Sequence, residues 1–321
     1  MIGIHTGRKY YINGNYLVKL DTNKYTLEKR PLRRGESFIP NFPDSIDIKL
    51  TNKCNIGCPF CHESSVPDGK TFNPDHLKKL LSELPSVGIE LAFGGGDVLE
   101  IKDELKDIVN WSKHNGFYPR ITINYKDIVR NSSTINLIIN LFIPIGISIN
   151  SLSRSVLEDI NTLDDASITF IPAIVYHIII GILPVNDLKT ILFSPDFKGK
   201  RILILGFKQF GRAKDMNISD SILTEWKNLI REYILKFRTS GETPNRTLAF
   251  DNLALEQLEM KNYLLSEEWN TLFMGNDFSH SMYIDAVTEE FAPTSRSSER
   301  ISWSKAGGIL NYFRNNKKSY D

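Results

Sequence analysis

Residues 45–61 read SIDIKLTNKCNIGCPFC. The segment starts with a β-prone run, Ile46–Leu50, and continues into a loop with Cys54, Cys58 and Cys61, which are all the cysteines of the 321-residue chain. Three cysteines in a chain of this length cannot form a disulfide framework. Their C-x3-C-x2-C spacing, on one loop directly after a predicted strand, instead indicates a metal centre.

The spacing of the three thiols favours an iron–sulfur cluster. Three thiolates on one loop can bind three corners of a [4Fe–4S] cube and leave the fourth iron without a protein ligand. An open coordination position of this kind is where catalytic metal sites bind a substrate or cofactor. A structural zinc site needs a fourth ligand; His62 is available, but the adjacent Cys61 and His62 cannot easily bind one tetrahedral ion together. A zinc-binding interaction module stays open as the alternative of another class.

Short β-branched runs recur from Ser45 onward, with helical patterns between most of them. The runs are Ile46–Leu50, Ile89–Phe93, Arg120–Asn124, Ile145–Asn150, Ile168–Val175 and Arg201–Phe207. Strands that alternate with helices predict βαβ units and a parallel sheet. Because the alternation stops near residue 215, we expect an α/β fold with a partial (β/α)6 barrel of the TIM type, not a closed eight-stranded barrel.

Three segments follow from this pattern. Residues 1–44 predict an N-terminal β-hairpin element and a linker, because Asn13-Gly14 lies between aromatic residues. Residues 45–215 predict the partial barrel, and residues 216–321 predict an α+β extension without cluster ligands. The elements expected in the extension are helices over Ile218–Phe237, Asp251–Leu265 and near Leu310–Lys318, and a strand over Met282–Val287.

Composition limits the classes of protein. The chain is 41% hydrophobic with a formal charge of +1, which excludes dominant disorder and argues against a protein that coats nucleic acid. The N-terminus has no apolar core of signal-peptide length. No run reaches the roughly 18–20 apolar residues of a membrane span. We therefore expect a soluble, cytoplasmic protein with no membrane partner.

The motif Cys54-x3-Cys58-x-Phe60-Cys61, with an aromatic residue directly before the third cysteine, resembles the signature of the radical S-adenosylmethionine (SAM) superfamily. The likeness covers about residues 45–215. It implies a [4Fe–4S] cluster bound by the three cysteines, whose unique iron binds SAM, with Phe60 beside the cofactor. It also implies reductive cleavage of SAM to a 5′-deoxyadenosyl radical that abstracts hydrogen from a substrate. An electron donor such as flavodoxin or ferredoxin is implied as a partner.

A second motif, Gly94-Gly95-Gly96-Asp97, ends the second predicted strand. Consecutive glycines let a backbone approach a ligand closely, and a carboxylate can accept hydrogen bonds from an ammonium group. In the superfamily this place holds a Gly-Gly-Glu-Pro segment that binds the methionine amino group; here Asp and Val replace Glu and Pro. The resemblance implies that Gly94 to Asp97 bind SAM. The alternative is a tight structural turn.

Further candidates follow later strands, where barrel enzymes place their sites. Thr122 and Asn124 share one strand face, as do Ser148 and Asn150. Superfamily members hold the ribose with polar residues at the end of the fourth strand, which selects Ser148 and Asn150; residues of a strand-terminal turn are the alternative. His177 either faces the cavity or is structural.

The segment Gly206-Phe207-Lys208-Gln209-Phe210-Gly211-Arg212 resembles a Gly-Arg segment of peptide-modifying members. There the backbone lies near the adenine, which implies cofactor contacts from Gly206 and Phe207. Arg212 is a candidate anchor for a substrate or the SAM carboxylate. Auxiliary clusters of such relatives are not expected here, because the extension has no cysteine.

Two substrate classes remain open. The N-terminal hairpin and the Gly-Arg segment favour a peptide. The basic runs Lys29–Arg34 and Arg314–Lys318 favour a nucleotide, free or in RNA, although charged runs are usually solvated surface. The segment Phe291–Ser298 could shape a substrate surface or form a flexible loop. A peptide is slightly favoured.

Overall fold

The computed structural model describes residues 3–5, 7–21, 26–126, 132–160, 171–240 and 246–317. Its strands are β1 Gly3–His5, β2 Arg8–Asn13, β3 Tyr16–Asp21, β4 Thr26–Pro31, β5 Ser45–Thr51, β6 Glu90–Gly95, β7 Tyr118–Asn124, β8 Ile145–Ser148, β9 Ile174–Ile179, β10 Arg201–Leu205, β11 Thr247–Phe250, β12 Ser281–Asp285, β13 Glu290–Ala292 and β14 Ile301–Ser302. Its helices are α1 Pro74–Leu81, α2 Lys102–His114, α3 Ser132–Leu141, α4 Val185–Phe193, α5 Asp220–Ser240, α6 Asn252–Gln257, α7 Ser266–Leu272, α8 Trp303–Ala306 and α9 Ile309–Asn316.

The central sheet contains the predicted parallel barrel strands. Strands β5 to β10 lie side by side in chain order, and each pairs in parallel with the next. Helices connect them, as the alternation predicted. In the described part of the chain the sheet is open, because its end strands β11 and β14 do not pair with each other. The predicted α/β partial barrel is confirmed.

Strands from the C-terminal segment extend this sheet on both sides. Strand β11 pairs in parallel with β10, and β12 pairs in parallel with β5. Strands β13 and β14 continue antiparallel beyond β12. Residues 216–321 therefore contribute strands to the barrel sheet itself, and the alternation of strand and helix continues past the predicted boundary at residue 215 through α5 and β11.

Alternation of side chains along the strands separates a core face from an inner face. Ile46, Ile48 and Leu50 of β5 are buried in the hydrophobic core, which also contains the buried leucines of α1. Helix α1 begins with an Asn73 cap, whose side chain accepts from the N–H groups of Asp75 and His76. The opposite face of the strands lines the interior of the partial barrel, which we call the lumen.

The N-terminal strands form a four-stranded antiparallel sheet, order β1-β2-β3-β4, built around the predicted hairpin. Gly14 occupies the β2–β3 turn at φ +60°, and a Cβ there would lie 1.6 Å from the carbonyl oxygen of Ile39. The buried Asn13 side chain donates to the Phe42 carbonyl and to Asp44, both at 2.8 Å. This sheet is therefore tied to the segment that leads into β5.

Several predicted boundaries differ from the structure. The fifth strand runs over Ile174–Ile179 rather than Ile168–Val175, and residues 161–170 lie outside the described part. The single helix predicted over Asp251–Leu265 ends early, because Glu259 takes a left-handed conformation at φ +53°. In the part of the chain that is described, no helix has the length and apolarity needed to cross a membrane.

Candidate functional site

The cysteine loop, residues 52–71, follows β5 and is anchored by its own backbone. The Cys54 N–H donates to the Val66 carbonyl at 2.9 Å, and the Val66 N–H donates to the Asn52 carbonyl at 2.9 Å. Thr51 pairs with Thr71 at the base of the loop. These contacts close the loop into a defined shape at the carboxyl end of β5, which is the end of a parallel sheet where barrel enzymes place their chemistry.

The three thiols differ in exposure. Cys54 is buried, whereas Cys58 and Cys61 are half-buried, and a turn links the latter two because the Cys61 N–H donates to the Cys58 carbonyl at 3.2 Å. Burial raises the pKa of the Cys54 and Cys58 thiols, so a bound metal would have to stabilise their thiolates. Gly57, at φ +70°, permits the turn between Cys54 and Cys58.

The thiols suit a cluster better than a single ion. Among the described residues, no three His, Cys, Asp or Glu side chains converge on a point where they could hold one metal ion. A tetrahedral zinc site requires such convergence. A [4Fe–4S] cube uses one thiolate for each of three irons and so needs the thiols spread around a larger body. The donor set therefore fits the implied cluster.

Arg212 fastens the far side of the cysteine loop. Its N–H donates to the Cys61 carbonyl at 3.0 Å, and its guanidinium donates to the Cys58 carbonyl at 2.9 Å and to the Ser65 carbonyl at 2.7 Å. Gly211, at φ +58°, comes so close that a Cβ would lie 2.5 Å from the His62 carbonyl oxygen. The sequence made Arg212 a candidate anchor for a ligand; in the structure it anchors the loop instead.

The glycine turn after β6 packs on the same loop. The Gly96 N–H donates to the Thr51 carbonyl and the Asp97 N–H to the Lys53 carbonyl, both at 2.7 Å. A Cβ on Gly96 would lie 2.3 Å from the Lys53 carbonyl oxygen, whereas a Cβ on Gly94 would meet no atom within 4 Å. Gly96 is thus required by close packing, and Gly94 leaves open space on the lumen wall.

Asp97 has a structural partner as well as a free oxygen. Its Oδ1 accepts from the Leu99 N–H at 2.9 Å and caps the 3₁₀ turn Val98–Ile101. Oδ2 has no hydrogen bond within the described residues. Burial raises the pKa of this carboxyl group. A cationic ligand next to Oδ2 would favour the charged form, which is consistent with the ammonium contact that the resemblance implies.

Polar candidates of three neighbouring strands meet on the lumen face. In the sheet register Asn124 lies beside Ser148, and Ser148 lies beside His177. Asn124 is partly used, because its side chain accepts from the Lys126 N–H at 3.0 Å. Asn150 lies beyond the end of β8, and its buried Oδ1 has no hydrogen-bond partner in the described structure. Such an orphaned atom fits a site that a bound ligand completes.

His177 lies within β9, not at a strand end. Its ring lies over Gly146, where a Cβ would be only 2.3 Å from the ring carbon Cε1. Burial, with a further contribution from the charge of Arg120, lowers the pKa of His177 to about 3. The imidazole is therefore neutral at physiological pH.

Backbone groups of Gly206 and Phe207, which directly follow β10, form hydrogen bonds within the protein. The Gly206 N–H donates to Asp251 at 2.9 Å. The Phe207 N–H donates to Gln257 Oε1 at 2.9 Å, and the Gln257 side-chain amide donates back to the Phe207 carbonyl at 3.0 Å. The implied adenine contacts of Gly206 and Phe207 remain a prediction, which these bonds restrict to groups other than the ones Asp251 and Gln257 use.

A buried ion network beneath the cysteine loop was not predicted from the sequence. Lys49 Nζ lies 2.7 Å from Glu63 Oε2 and 3.1 Å from Asp285 Oδ2, with all three side chains under 10% exposed. Tyr283 donates to Glu63 at 3.1 Å. Burial alone would raise the pKa of Glu63, but His62 and Lys49 outweigh it and hold the pKa below its usual range. A lysine inside an apolar strand run was the available signal.

Comparisons with known proteins agree with this geometry. Residues 48–169 match the family model described as the Radical SAM superfamily. Over 82 residues the chain is 32% identical to the PqqA peptide cyclase of Bradyrhizobium diazoefficiens, and over 78 residues it is 27% identical to the 7,8-dihydro-6-hydroxymethylpterin dimethyltransferase of Methanocaldococcus jannaschii. These matches cover 25% and 22% of this chain, and only 21% and 15% of the two relatives.

The fold is similar to that of a solved protein over almost its whole length. SuiB of Streptococcus suis bound to S-adenosylmethionine gives a TM-score of 0.67 at 11% identity, over 99% of this chain and 88% of SuiB. SuiB bound to the precursor peptide SuiA gives 0.62 at 11% identity, over 88% and 66%. At this identity the likeness concerns the fold alone.

The part of the chain that holds the cysteine loop and the glycine turn is thus similar to the radical SAM superfamily. This match agrees with the resemblance drawn from the cysteine motif, and the two cofactors of that superfamily are a [4Fe–4S] cluster and SAM. The roles of individual site residues stay predictions.

Proposed function

We propose that this chain cleaves SAM reductively at a [4Fe–4S] cluster and that the 5′-deoxyadenosyl radical so supplied takes a hydrogen atom from a peptide. The observation that carries the proposal is the junction of the cysteine loop with the glycine turn at the mouth of the lumen. Cys54, Cys58 and Cys61 stand on that loop, and the N–H groups of Gly96 and Asp97 hydrogen-bond to its base.

The surrounding residues have the properties that SAM binding requires. Asp97 offers Oδ2 to an ammonium group, and Gly94 leaves room for a ligand against the strand wall. Ser148 and Asn150 present polar groups to a ribose, and the orphaned Oδ1 of Asn150 lacks a donor that a hydroxyl would provide. Phe60 lies between two cysteines of the loop and is assigned to the cofactor by position.

The proposal is tested on protein reconstituted anaerobically with iron and sulfide. We expect about four irons per chain, because only three thiolates are available, and 5′-deoxyadenosine formation with SAM and a reductant such as dithionite or flavodoxin. Replacement of Cys54, Cys58 or Cys61 by Ala should abolish both the cluster and the product. A full, active cluster in any one of these variants would overturn the assignment.

Peptide is the substrate class with most support. One relative is named a peptide cyclase, and SuiB has been solved with a precursor peptide. The N-terminal sheet also reaches the lumen, because Leu27 and Lys29 of β4 line the same cavity as Asp47 of β5. A chain bound along that sheet would have a direct route to the interior.

Several cations of the basic runs that favoured a nucleotide are engaged within the protein. Lys29 forms a buried ion pair with Asp44 at 2.6 Å. Arg314 donates to the Asn41 carbonyl at 3.0 Å, and Lys317 donates to the Pro40 carbonyl. Lys318 lies outside the described residues. These contacts leave fewer cations for phosphates than the sequence suggested.

The two substrate classes can be separated by the yield of 5′-deoxyadenosine. Synthetic peptides encoded by short reading frames beside the gene would be compared with mononucleotides and short RNAs. We expect a peptide to raise the yield and to acquire a mass change. Stimulation by nucleotides alone would reverse the assignment.

A further inference from the structure

A cavity of about 380 Å³ lies between the barrel strands, β4 and the C-terminal segment. Strand β5 contributes Ser45 and Asp47 to its lining, β12 contributes Ser281 and Tyr283, and the loop after β10 contributes Lys208. This volume is in the range of small-ligand sites, in which a few placed polar groups fix the orientation of the ligand.

Most charges on this lining are neutralised within the protein. Lys29 pairs with Asp44 at 2.6 Å, and Arg296 pairs with Asp277 at 2.8 Å. Glu90 pairs with Arg120 of the neighbouring strand at 3.0 Å. Each of these carboxylates therefore has a cation in direct contact and offers little net charge to a ligand.

Of the remaining Asp and Lys side chains on the lining, two form hydrogen bonds within the protein and one does not. Asp251 accepts the N–H groups of Gly206 and Ala254, which fixes it as a helix cap. Lys208 donates to Ser295 Oγ at 2.8 Å. Asp47 is exposed to the cavity and has neither a hydrogen bond nor an ion pair among the described residues.

Among the described residues, no cation forms an ion pair with Asp47. Its register neighbours are Ala92 on β6 and Tyr283 on β12. The lysine on the same face of β5, Lys49, is held by Glu63 and Asp285, and Asp285 also binds Arg300 at 3.2 Å. The nearby buried charges thus balance one another, and the negative charge of Asp47 is left for a ligand.

We propose that Asp47 is a specificity-determining residue that binds a cationic group of the substrate, the guanidinium or ammonium of an Arg or Lys side chain. A carboxylate accepts charge-assisted hydrogen bonds from both groups, and these are roughly twice as strong as hydrogen bonds between neutral groups. This inference rests on the proposed peptide-modifying function and adds to it the chemistry of the residue that enters the lumen.

The test compares two probes that differ in charge but hardly in shape, Nα-acetyl-arginine amide and Nα-acetyl-citrulline amide. Binding to the reconstituted, SAM-loaded enzyme is followed by ligand-observed NMR titration. We expect the arginine probe to bind about tenfold more tightly, as for a hydrogen bond to a charged group. Asp47→Asn, which keeps the shape of the side chain, should remove that preference, and so should Asp47→Ser.

The control variant is Asp103→Asn, the same chemical change on the exposed surface of α2, which should keep the preference. Equal binding of both probes to the wild-type enzyme, or a preference that survives in Asp47→Asn, overturns the inference. Formation of 5′-deoxyadenosine is measured on the same preparations. Its absence would overturn the proposed function while leaving the probe result valid, so the two failures are distinguishable.

Discussion

The cysteine loop is held by several hydrogen bonds and close contacts, whereas the lumen wall beside it has empty space and an unsatisfied polar atom. Arg212 alone makes three hydrogen bonds to the loop, and Gly96 packs against its base. At the ends of the barrel strands, Gly94 borders empty space, and Asn150 Oδ1 has no hydrogen-bond partner among the described residues. The contrast indicates that the protein fixes the thiols in advance and reserves unsatisfied groups and volume for what binds next to them.

Substitutions of Gly96 and Gly94 should show the largest difference between the cysteine loop and the lumen wall. Gly96→Ala would place a methyl group 2.3 Å from a backbone carbonyl, which should cost about 1–3 kcal/mol or more of the free energy of unfolding. Gly94→Ala has free space and should change that free energy by less than about 0.5 kcal/mol. Thermal unfolding of the reconstituted proteins measures both. Equal melting temperatures would show that the two positions do not differ in packing.

Asp97 belongs to both regions, since one oxygen caps a turn and the other is free. Asp97→Ala and Asp97→Asn should each weaken SAM binding by about ten- to a hundredfold, as expected for loss of a charged hydrogen bond. Only the Ala variant should also lower the melting temperature, because Asn keeps an oxygen for the Leu99 N–H. Titration of the intact cluster with SAM gives the dissociation constants. Unchanged dissociation constants would show that Asp97 only caps the 3₁₀ turn and does not bind SAM.

The hydrogen bonds from the Arg212 side chain to the cysteine loop can be removed without changing a cluster ligand. Arg212→Ala removes the guanidinium from two carbonyl oxygens, and we expect iron loss to a chelator to become about tenfold faster, since each bond to a charged donor is substantial. Arg314→Ala is the control, because that guanidinium donates to the carbonyl of Asn41, remote from the cysteines in the chain. If both variants lose iron at the wild-type rate, the Arg212 guanidinium is not needed to retain the cluster.

The smallest expected effect is that no solvent deuterium enters the modified substrate. All three thiols of the chain are assigned to the cluster, so no protein thiol is left to return hydrogen to a substrate radical. With the modified substrate identified, the reaction is run in deuterated water without added thiol. We expect no solvent deuterium at the attacked carbon, because the methyl group of 5′-deoxyadenosine does not exchange with water. Full incorporation would indicate an exchangeable donor such as a tyrosine.

The features that could be predicted from sequence are those set by neighbouring residues. The cysteine spacing, the glycine run after β6 and the alternation of strands with helices all depend on short-range patterns. The strand over Ile174–Ile179 was displaced in the prediction because the run Ile168–Leu183 is apolar at most positions and has no regular alternation to fix the ends of a strand.

Features that depend on distant residues could not be predicted. The pairing of β12 with β5 joins residues more than 200 positions apart, and nothing local specifies it. Gln257 binds both backbone groups of Phe207, but a glutamine in a helical pattern gives no sign of such a contact. Asp47 likewise looks like any polar residue of an amphipathic strand until its neighbours show that it has no partner.

Strands β11 and β12 pair with β10 and β5, the two outer strands of the predicted barrel. A chain cut at residue 215 would expose unpaired N–H and C=O groups along both strands, and such edges recruit other chains into aggregates. The C-terminal segment thus covers both edges against self-association. Because β12 pairs with β5, the strand that leads into the cysteine loop, the position of the thiols also depends on the last third of the chain.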